Sequence, residues 1–278
     1  MKSIVFKISI LSFLLLTSFT PNVQEFQGQA FYVSKSKLEL GSWGSRMSEA
    51  QKKEVEVRLK SRLEKTYVLN FNKESSIFNE EDKLDAMSGA TDSWGKNFAQ
   101  GEQYKNVKDN AIVQSQEFYG KQFLVKDKLQ TFAWKMETES KQIGQYLCFK
   151  ATASVPTSEL TWYDFSWSNL RDDTAAKTDA TGTETTELVI KMTEVEAWYT
   201  TQIPVSHGPS EYWGLPGLIL EVSAGNTVML CSKIVMNPQG KLKIESPDKG
   251  KEITKTEYQE TIQTKMLEMR NNRGRGRS

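Results

Sequence analysis

The chain has 278 residues, 38 % of them hydrophobic and 26 % charged, with a formal net charge of +1. That balance supports a packed core and excludes a disordered polyelectrolyte. Near neutrality also removes any global electrostatic case for nucleic acid or an acidic membrane surface as partner.

Lys2 and Lys7 flank Ile4, and Ile8 to Leu16 is an almost continuous apolar run. This is a charged n-region followed by an h-region of signal-peptide length, too short to span a bilayer comfortably. Residues 1–22 are expected to be a signal peptide, cut between Thr20 and Gln24, which makes the protein an exported one. No cysteine lies near the cut, so no lipid anchor is expected, and no later apolar run reaches membrane-spanning length.

Phe26 to Leu40 has extended character, with Phe31 and Val33 on one face and Ala30 and Tyr32 on the other. Ser48 to Lys65 reads as an amphipathic helix: Ser48 is an N-cap with Gln51 three residues on, and Val55, Leu59 and Leu63 form a narrow stripe. Tyr67 to Phe71 alternates as a strand. Glu74 to Gln103, with Gly89, Gly95 and Gly101, reads as a long irregular loop whose acidic group Glu80-Glu81-Asp82 lacks the spacing of a calcium site.

Tyr104 to Ala153 has the pattern of an antiparallel meander. Ala111–Phe118 and Gln122–Lys126 flank a short turn at Tyr119-Gly120-Lys121, Phe132, Trp134 and Met136 alternate, and Tyr146 to Ala151 returns after Gly144. Residues 169–186 form a low-complexity Asp/Thr/Ala/Gly insert, expected to be a flexible tip. Glu187 to Thr200 is a strand, and Lys241 to Glu245 a short edge strand. Thr254 and Glu257 make a T-x-x-E capping box before a helical stripe of Tyr258, Ile262, Met266 and Met269. Residues 271–278 are expected to be a disordered basic tail.

Glu211 to Val222 reads E-Y-W-G-L-P-G-L-I-L-E-V. Pro216-Gly217 suits the centre of a type II turn, with positive φ at Gly217, and Gly214 allows close approach or a second unusual dihedral. Leu218-Ile219-Leu220 and Val222 read as a buried strand, returned by Thr227 to Met236 after the turn Ser223 to Asn226. The two cysteines, Cys148 and Cys231, both lie in expected strands. In an exported chain they are a disulfide candidate, closing a loop for which chain entropy gives about 4.5 kcal/mol. Two buried free thiols are the alternative.

His207 is the single histidine, so any Ser-His-Asp or Cys-His mechanism must use it, yet no G-x-S-x-G surrounds a serine. His207 and Glu211 are four residues apart, but Gly208 and Pro209 between them exclude helical ligand geometry for a metal. No metal and no cofactor are expected. Trp198, Tyr199, Tyr212 and Trp213 either fill a core or, with His207 and Glu211, line an apolar ligand groove. The sequence leaves both open.

The run Gly214-Leu215-Pro216-Gly217-Leu218-Ile219 resembles the motif that names the GLPGLI family of exported bacterial proteins. Trp134, Tyr146 to Ala151, Ala197-Trp198-Tyr199-Thr200, Ile203-Pro204, Gly208-Pro209 and Ile253-Thr254 to Tyr258 are similar to the family pattern in the same order. The resemblance implies a periplasmic or outer-membrane-associated role, since genes of the family often accompany TonB-dependent outer-membrane receptors. It carries no established activity onto any residue here.

The expected fold is mainly β: a single domain over residues 23–270, with a curved antiparallel sheet or open half-barrel wrapping one or two helices, like lipoprotein carriers by analogy. The expected function is a non-enzymatic envelope binding or accessory protein. It would act with an outer-membrane transporter component or hold an apolar ligand, with no nucleic acid as partner. The alternatives are an envelope hydrolase or metal enzyme using His207, and a structural assembly factor whose partner surface is the Glu74–Gln103 loop.

Overall fold

A computed structural model describes residues 26–37, 44–81, 100–160, 162 and 190–275. The signal-peptide reading, the insert at 169–186 and the last three residues of the tail lie outside them.

Twelve strands form one open sheet: β1 (Gln27–Ser36), β2 (Glu64–Asn72), β3 (Ser75–Glu80), β4 (Gln100–Asn106), β5 (Ala111–Phe118), β6 (Lys121–Lys128), β7 (Lys135–Ile143), β8 (Tyr146–Pro156), β9 (Met192–Thr200), β10 (Leu218–Ala224), β11 (Thr227–Met236) and β12 (Lys251–Ile253). The spatial order is β12-β6-β5-β4-β3-β2-β1-β11-β10-β9-β8-β7. Two antiparallel meanders, β2 to β6 and β7 to β11, are thus joined through β1, which pairs with β2 on one side and β11 on the other. Among the described residues only β12 pairs in parallel, with β6.

Local signals place most of these elements. Tyr119 and Gly120 both have positive φ (48° and 76°), which makes the β5–β6 connection the primed two-residue turn that matches strand twist. Ala30 and Tyr32 are fully buried while Phe31 and Val33 are half-buried, as alternation requires. Leu218, Ile219, Leu220 and Val222 are all buried, so β10 is an inner strand. The stretch expected as a loop from Glu74 to Gln103 instead contains β3 and the start of β4, which pair with each other. The edge strand falls at Lys251–Ile253, not at 241–245, because Gly250 (φ 128°) packs its bare Cα against the backbone of Phe123.

Four helices are described: α1 (Glu49–Arg58), α2 (Lys60–Leu63), α3 (Thr157–Leu160) and α4 (Lys255–Arg275). The Ser48/Gln51 capping box is present on α1, but neither α1 nor α2 forms a core layer. Val55, Leu59 and Leu63 are only half-buried and Val57 is 67 % exposed. Three aliphatics among so many charges give α1 too little apolar face to bury, and the strand begins at Glu64, inside the expected helix. By contrast α4 packs: Tyr258, Ile262 and Met266 join Phe118, Phe123, Val125 and Ile253 in one cluster, behind the Thr254–Glu257 cap. It continues to Arg275, five residues into the stretch expected to be a solvated tail.

Candidate functional site

The connection between β9 and β10, residues 201–217, crosses the inside of the sheet and contacts strands far from its own. Lys105 on β4 donates from Nζ to the carbonyls of Gly208 (2.7 Å), Ser210 (2.5 Å) and Tyr212 (3.2 Å). Four strands separate β4 from β10 in the sheet order. On a flat sheet that is about 24 Å at roughly 4.8 Å per step. The loop bridges that span by running back over the sheet from β10 to β4, a plug on the inner face of the open sheet.

The ammonium of Lys105 is fully buried and uses all three N–H donors on backbone. Burial pulls its pKa from 10.5 down to about 7, against the upward pull of Glu211. The loop it grips is bent at Ser210, a non-glycine residue with φ of 47°. Glu211, 2 % exposed, is the second anchor. Its Oε1 accepts from Gln103 Nε2 (3.0 Å) and Trp162 Nε1 (2.9 Å), and its Oε2 pairs with Lys255 Nζ on α4 at 3.1 Å. The plug thereby ties β4 to the C-terminal helix.

His207 is fully buried. Its Nε2–H donates to the Asn72 carbonyl at 3.1 Å, which leaves Nδ1 as the bare nitrogen, without a partner. Desolvation, helped by the charge of Lys105, lowers its pKa from 6.5 to about 3. The ring is therefore neutral at any physiological pH and a poor proton acceptor. Among the described residues it makes no hydrogen bond to Glu211 or Cys231.

The aromatic candidates are spent in packing. Trp198 and Tyr199 are consecutive on β9, so they point to opposite faces, into different core clusters. Tyr212 packs with Tyr199, Leu215 and Ile219, and burial pushes its hydroxyl pKa up. Trp213 is half-buried. Its Nε1 donates to the Gln130 carbonyl (2.6 Å), while Trp134 Nε1 donates to the Trp213 carbonyl (2.8 Å). This reciprocal pair pins the plug to the segment before β7, which is why Phe132 and Trp134 lie outside a strand. Among the described residues Trp198, Tyr199 and Tyr212 are buried in core packing and Trp213 is half-buried, as a strand that alternates its faces and a plug that covers its own side chains require.

Within the hexamer Gly214 takes the unusual dihedral that was one of its two expected roles, and Gly217 does not take the positive φ expected of it. Gly214 carries the positive φ, 93°. Gly217 lies outside the left-handed region and is needed for contact, since a Cβ there would sit 2.1 Å from the Thr200 carbonyl oxygen. The Pro216-Gly217 pair is thus not the expected type II turn. Leu218 N–H bonds the Ile203 carbonyl and Ile219 N–H the His207 carbonyl, so the plug folds back on its own exit. Leu215, Leu218 and Ile219 are fully buried, whereas Pro216 is exposed.

Cys148 and Cys231 are two buried free thiols, not the disulfide candidate. β9 and β10 lie between their strands, and each Sγ donates to a nearby carbonyl, of Tyr146 and Lys233 respectively. Burial raises their pKa values to about 11 and about 12.

Lys105, Gln103, Trp162 and Lys255 were not legible as site residues in the sequence. The available signal was inverted alternation on β4, where Gln103 and Lys105 are buried and Tyr104 between them is only half-buried.

Fold and site together define an open, mainly antiparallel β half-barrel closed from within by an ionically pinned plug. A family model described as "Protein of unknown function (Porph_ging)" matches residues 134–221, the segment from the Trp134 staple through the plug to β10. No curated protein matches the chain. Two solved structures resemble it, described as "Structure of PNGF-II in C2 space group" and "Structure of PNGF-II in P21 space group". Each is 14 % identical, with TM-scores of 0.49 and 0.46 over 85 % and 82 % of this chain. The chain covers 32 % of the length of each.

Proposed function

We propose that this protein is a non-enzymatic, exported accessory protein of the bacterial envelope that works with an outer-membrane transporter component, such as a TonB-dependent receptor. The observation that carries the non-enzymatic part is the commitment of the buried ionisable groups. Lys105 is used on three carbonyls, Glu211 on Lys255, Gln103 and Trp162, and His207 on Asn72. Groups held this way build a shape; none presents a poised acid, base or nucleophile to a substrate. The charged leader at Lys2 to Leu16 and the hexamer at 214–219 support the envelope setting.

The nine-residue edge strand β7 is where a partner would first meet the sheet. Its ladder with β8 shifts register between Met136 and Ser140, and Glu137, Glu139 and Lys141 decorate it. These features keep an edge from pairing indiscriminately. Purification of the tagged full chain from its own envelope in mild detergent tests the assignment. Recovery of an outer-membrane transporter component, lost on salt-resistant disruption of β7 by Ser140→Pro, is expected. Recovery of the chain alone from intact outer membranes would overturn it.

A further inference from the structure

Among the described residues β7 has a hydrogen-bonded neighbour on one side only, β8, and it ends the sheet order. Its other side is a row of backbone N–H and C=O groups, a template for one more strand. The opposite end of the sheet, β12, is only three residues long, so β7 is the long edge. The charges along it are unbalanced. Met136 pairs with Ala151 and Ser140 with Phe149, so Glu137, Thr138 and Glu139 stand opposite Lys150 alone. Lys150 Nζ lies 3.7 Å from Glu137, 3.4 Å from Glu139 and 3.2 Å from Glu196 on β9. One ammonium thus serves three carboxylates, an excess of two negative charges. Lys141 does not relieve it, since it pairs with Glu221 at 2.8 Å. The Glu139 side chain is 60 % exposed, so its bond to Lys150 is weak and the carboxylate is open to another cation. Met136 shares a face with its partner Ala151, opposite to Lys150, and is 58 % exposed.

We propose that β7 takes up an extended segment of a partner protein as an added antiparallel strand, selected by Lys or Arg at two alternate positions followed by an apolar residue. The two basic side chains face Glu137 and Glu139 on one side of the sheet, because strand side chains alternate. The apolar residue after them falls on the other side, against Met136. Backbone pairing supplies the attachment and the side chains supply the choice of partner. A second copy of this chain does not meet the requirement. The run from Lys135 to Lys141 has the same charge pattern in both directions, Lys135, Glu137, Glu139, Lys141. Two copies paired antiparallel about Thr138 would set Glu137 against Glu139 and Lys135 against Lys141, and like charges directly opposite are destabilising. The inference rests on the reading of β7 as contact strand given above, and adds the binding mode and the residues the partner carries.

The test uses the mature full-length chain and a synthetic Thr-Lys-Thr-Lys-Val-Thr peptide. One comparison peptide replaces both lysines by glutamate. Another methylates alternate backbone nitrogens, which removes ladder donors and keeps the charge. Saturable binding of the lysine peptide is expected, with slowed hydrogen exchange at the β7 amides that face away from β8, and much weaker binding of both comparisons. Glu139→Lys, at an exposed position, should weaken the lysine peptide roughly tenfold, the loss of one attractive cross-strand pair and the gain of a repulsive one. The same variant should bind the glutamate peptide more tightly than the wild type does. Equal binding of the methylated or the glutamate peptide, unchanged affinity in Glu139→Lys, outward β7 amides already protected in the free chain, or a dimer of the free chain held through β7 would each overturn the assignment. Peptide binding without recovery of a transporter component from the envelope would overturn only the transporter reading, and recovery without peptide binding only this one.

Discussion

The Lys105 ammonium lies 2.7 Å from the Gly208 carbonyl oxygen, across four intervening strands of the sheet, and this contact with its two companions seats the plug. Lys105→Met keeps the length and removes the donor. Three buried carbonyls then lose their partner, and Glu211 loses a nearby cation. The cost should be at least about 3 kcal/mol, read as a lower urea midpoint. Lys105→Arg should not restore it, because a planar fork does not fit three carbonyls arranged around one nitrogen. A Lys105→Met chain with an unshifted midpoint would remove the plug from the account of stability.

Acid should destabilise the fold through His207. Its pKa is 6.5 in an unfolded chain and about 3 in the native state. Between those values the unfolded state binds the extra proton, so stability rises with pH across that window. Lowering the pH from 6.5 towards 3 therefore removes stability at up to about 1.4 kcal/mol per unit. Lys105 acts with the same sign at higher pH: with native and unfolded values of about 7 and 10.5, stability rises from pH 7 to pH 10. Denaturation midpoints across pH for wild type and His207→Gln check this. The variant should have a shallower slope between pH 3 and 6.5, keeping the part below 4.5 that the lowered Glu196 and Glu257 carboxylates supply, and should retain the alkaline one.

Gly214 and Gly217 should respond differently to alanine. At Gly214 the difficulty is a φ of 93°, with only an ordinary contact to the Trp134 ring at 3.7 Å, worth about 1 kcal/mol. At Gly217 the added methyl meets the Thr200 carbonyl at 2.1 Å, and backbone has to move. Gly217→Ala should therefore cost more than twice as much as Gly214→Ala in thermal unfolding. The reverse order would contradict the observed assignment of roles.

Removing one partner of the Glu211–Lys255 pair leaves a charge stranded at 2 % or 10 % side-chain exposure. Glu211→Gln and Lys255→Met should each cost about 3–5 kcal/mol. The double variant should cost less than the sum by 1 kcal/mol or more, in the manner of coupled buried charges, at roughly the scale of such cycles. Additive costs would mean that the pair is not coupled.

The two thiols should be silent in the native protein and appear on unfolding. Both are buried, with pKa values of about 11 and about 12, so little thiolate forms at neutral pH. Ellman's reagent should titrate no cysteine in buffer and two in guanidinium without reductant. Zero in guanidinium would restore the disulfide.

The sequence by itself determined the local elements of this protein. Alternation set β1, β5 and β9, the turns read at Tyr119-Gly120-Lys121 and Ser223 to Asn226 set two hairpins whose loops in the structure are Tyr119-Gly120 and Gly225-Asn226, and the Thr254–Glu257 cap fixed the start of the helix whose Tyr258, Ile262 and Met266 stripe packs on the sheet. Such features depend on neighbours a few residues away, so composition and spacing carry them. The stretch 211–222 was legible as a bend feeding a buried strand for the same reason. Only tertiary structure decided that β1 joins two meanders, that the hexamer loop turns inward as a plug, and that Lys105 on a distant strand holds it. Those contacts link residues about a hundred positions apart, and a lysine in an alternating strand looks alike in sequence whether it meets water or three buried carbonyls.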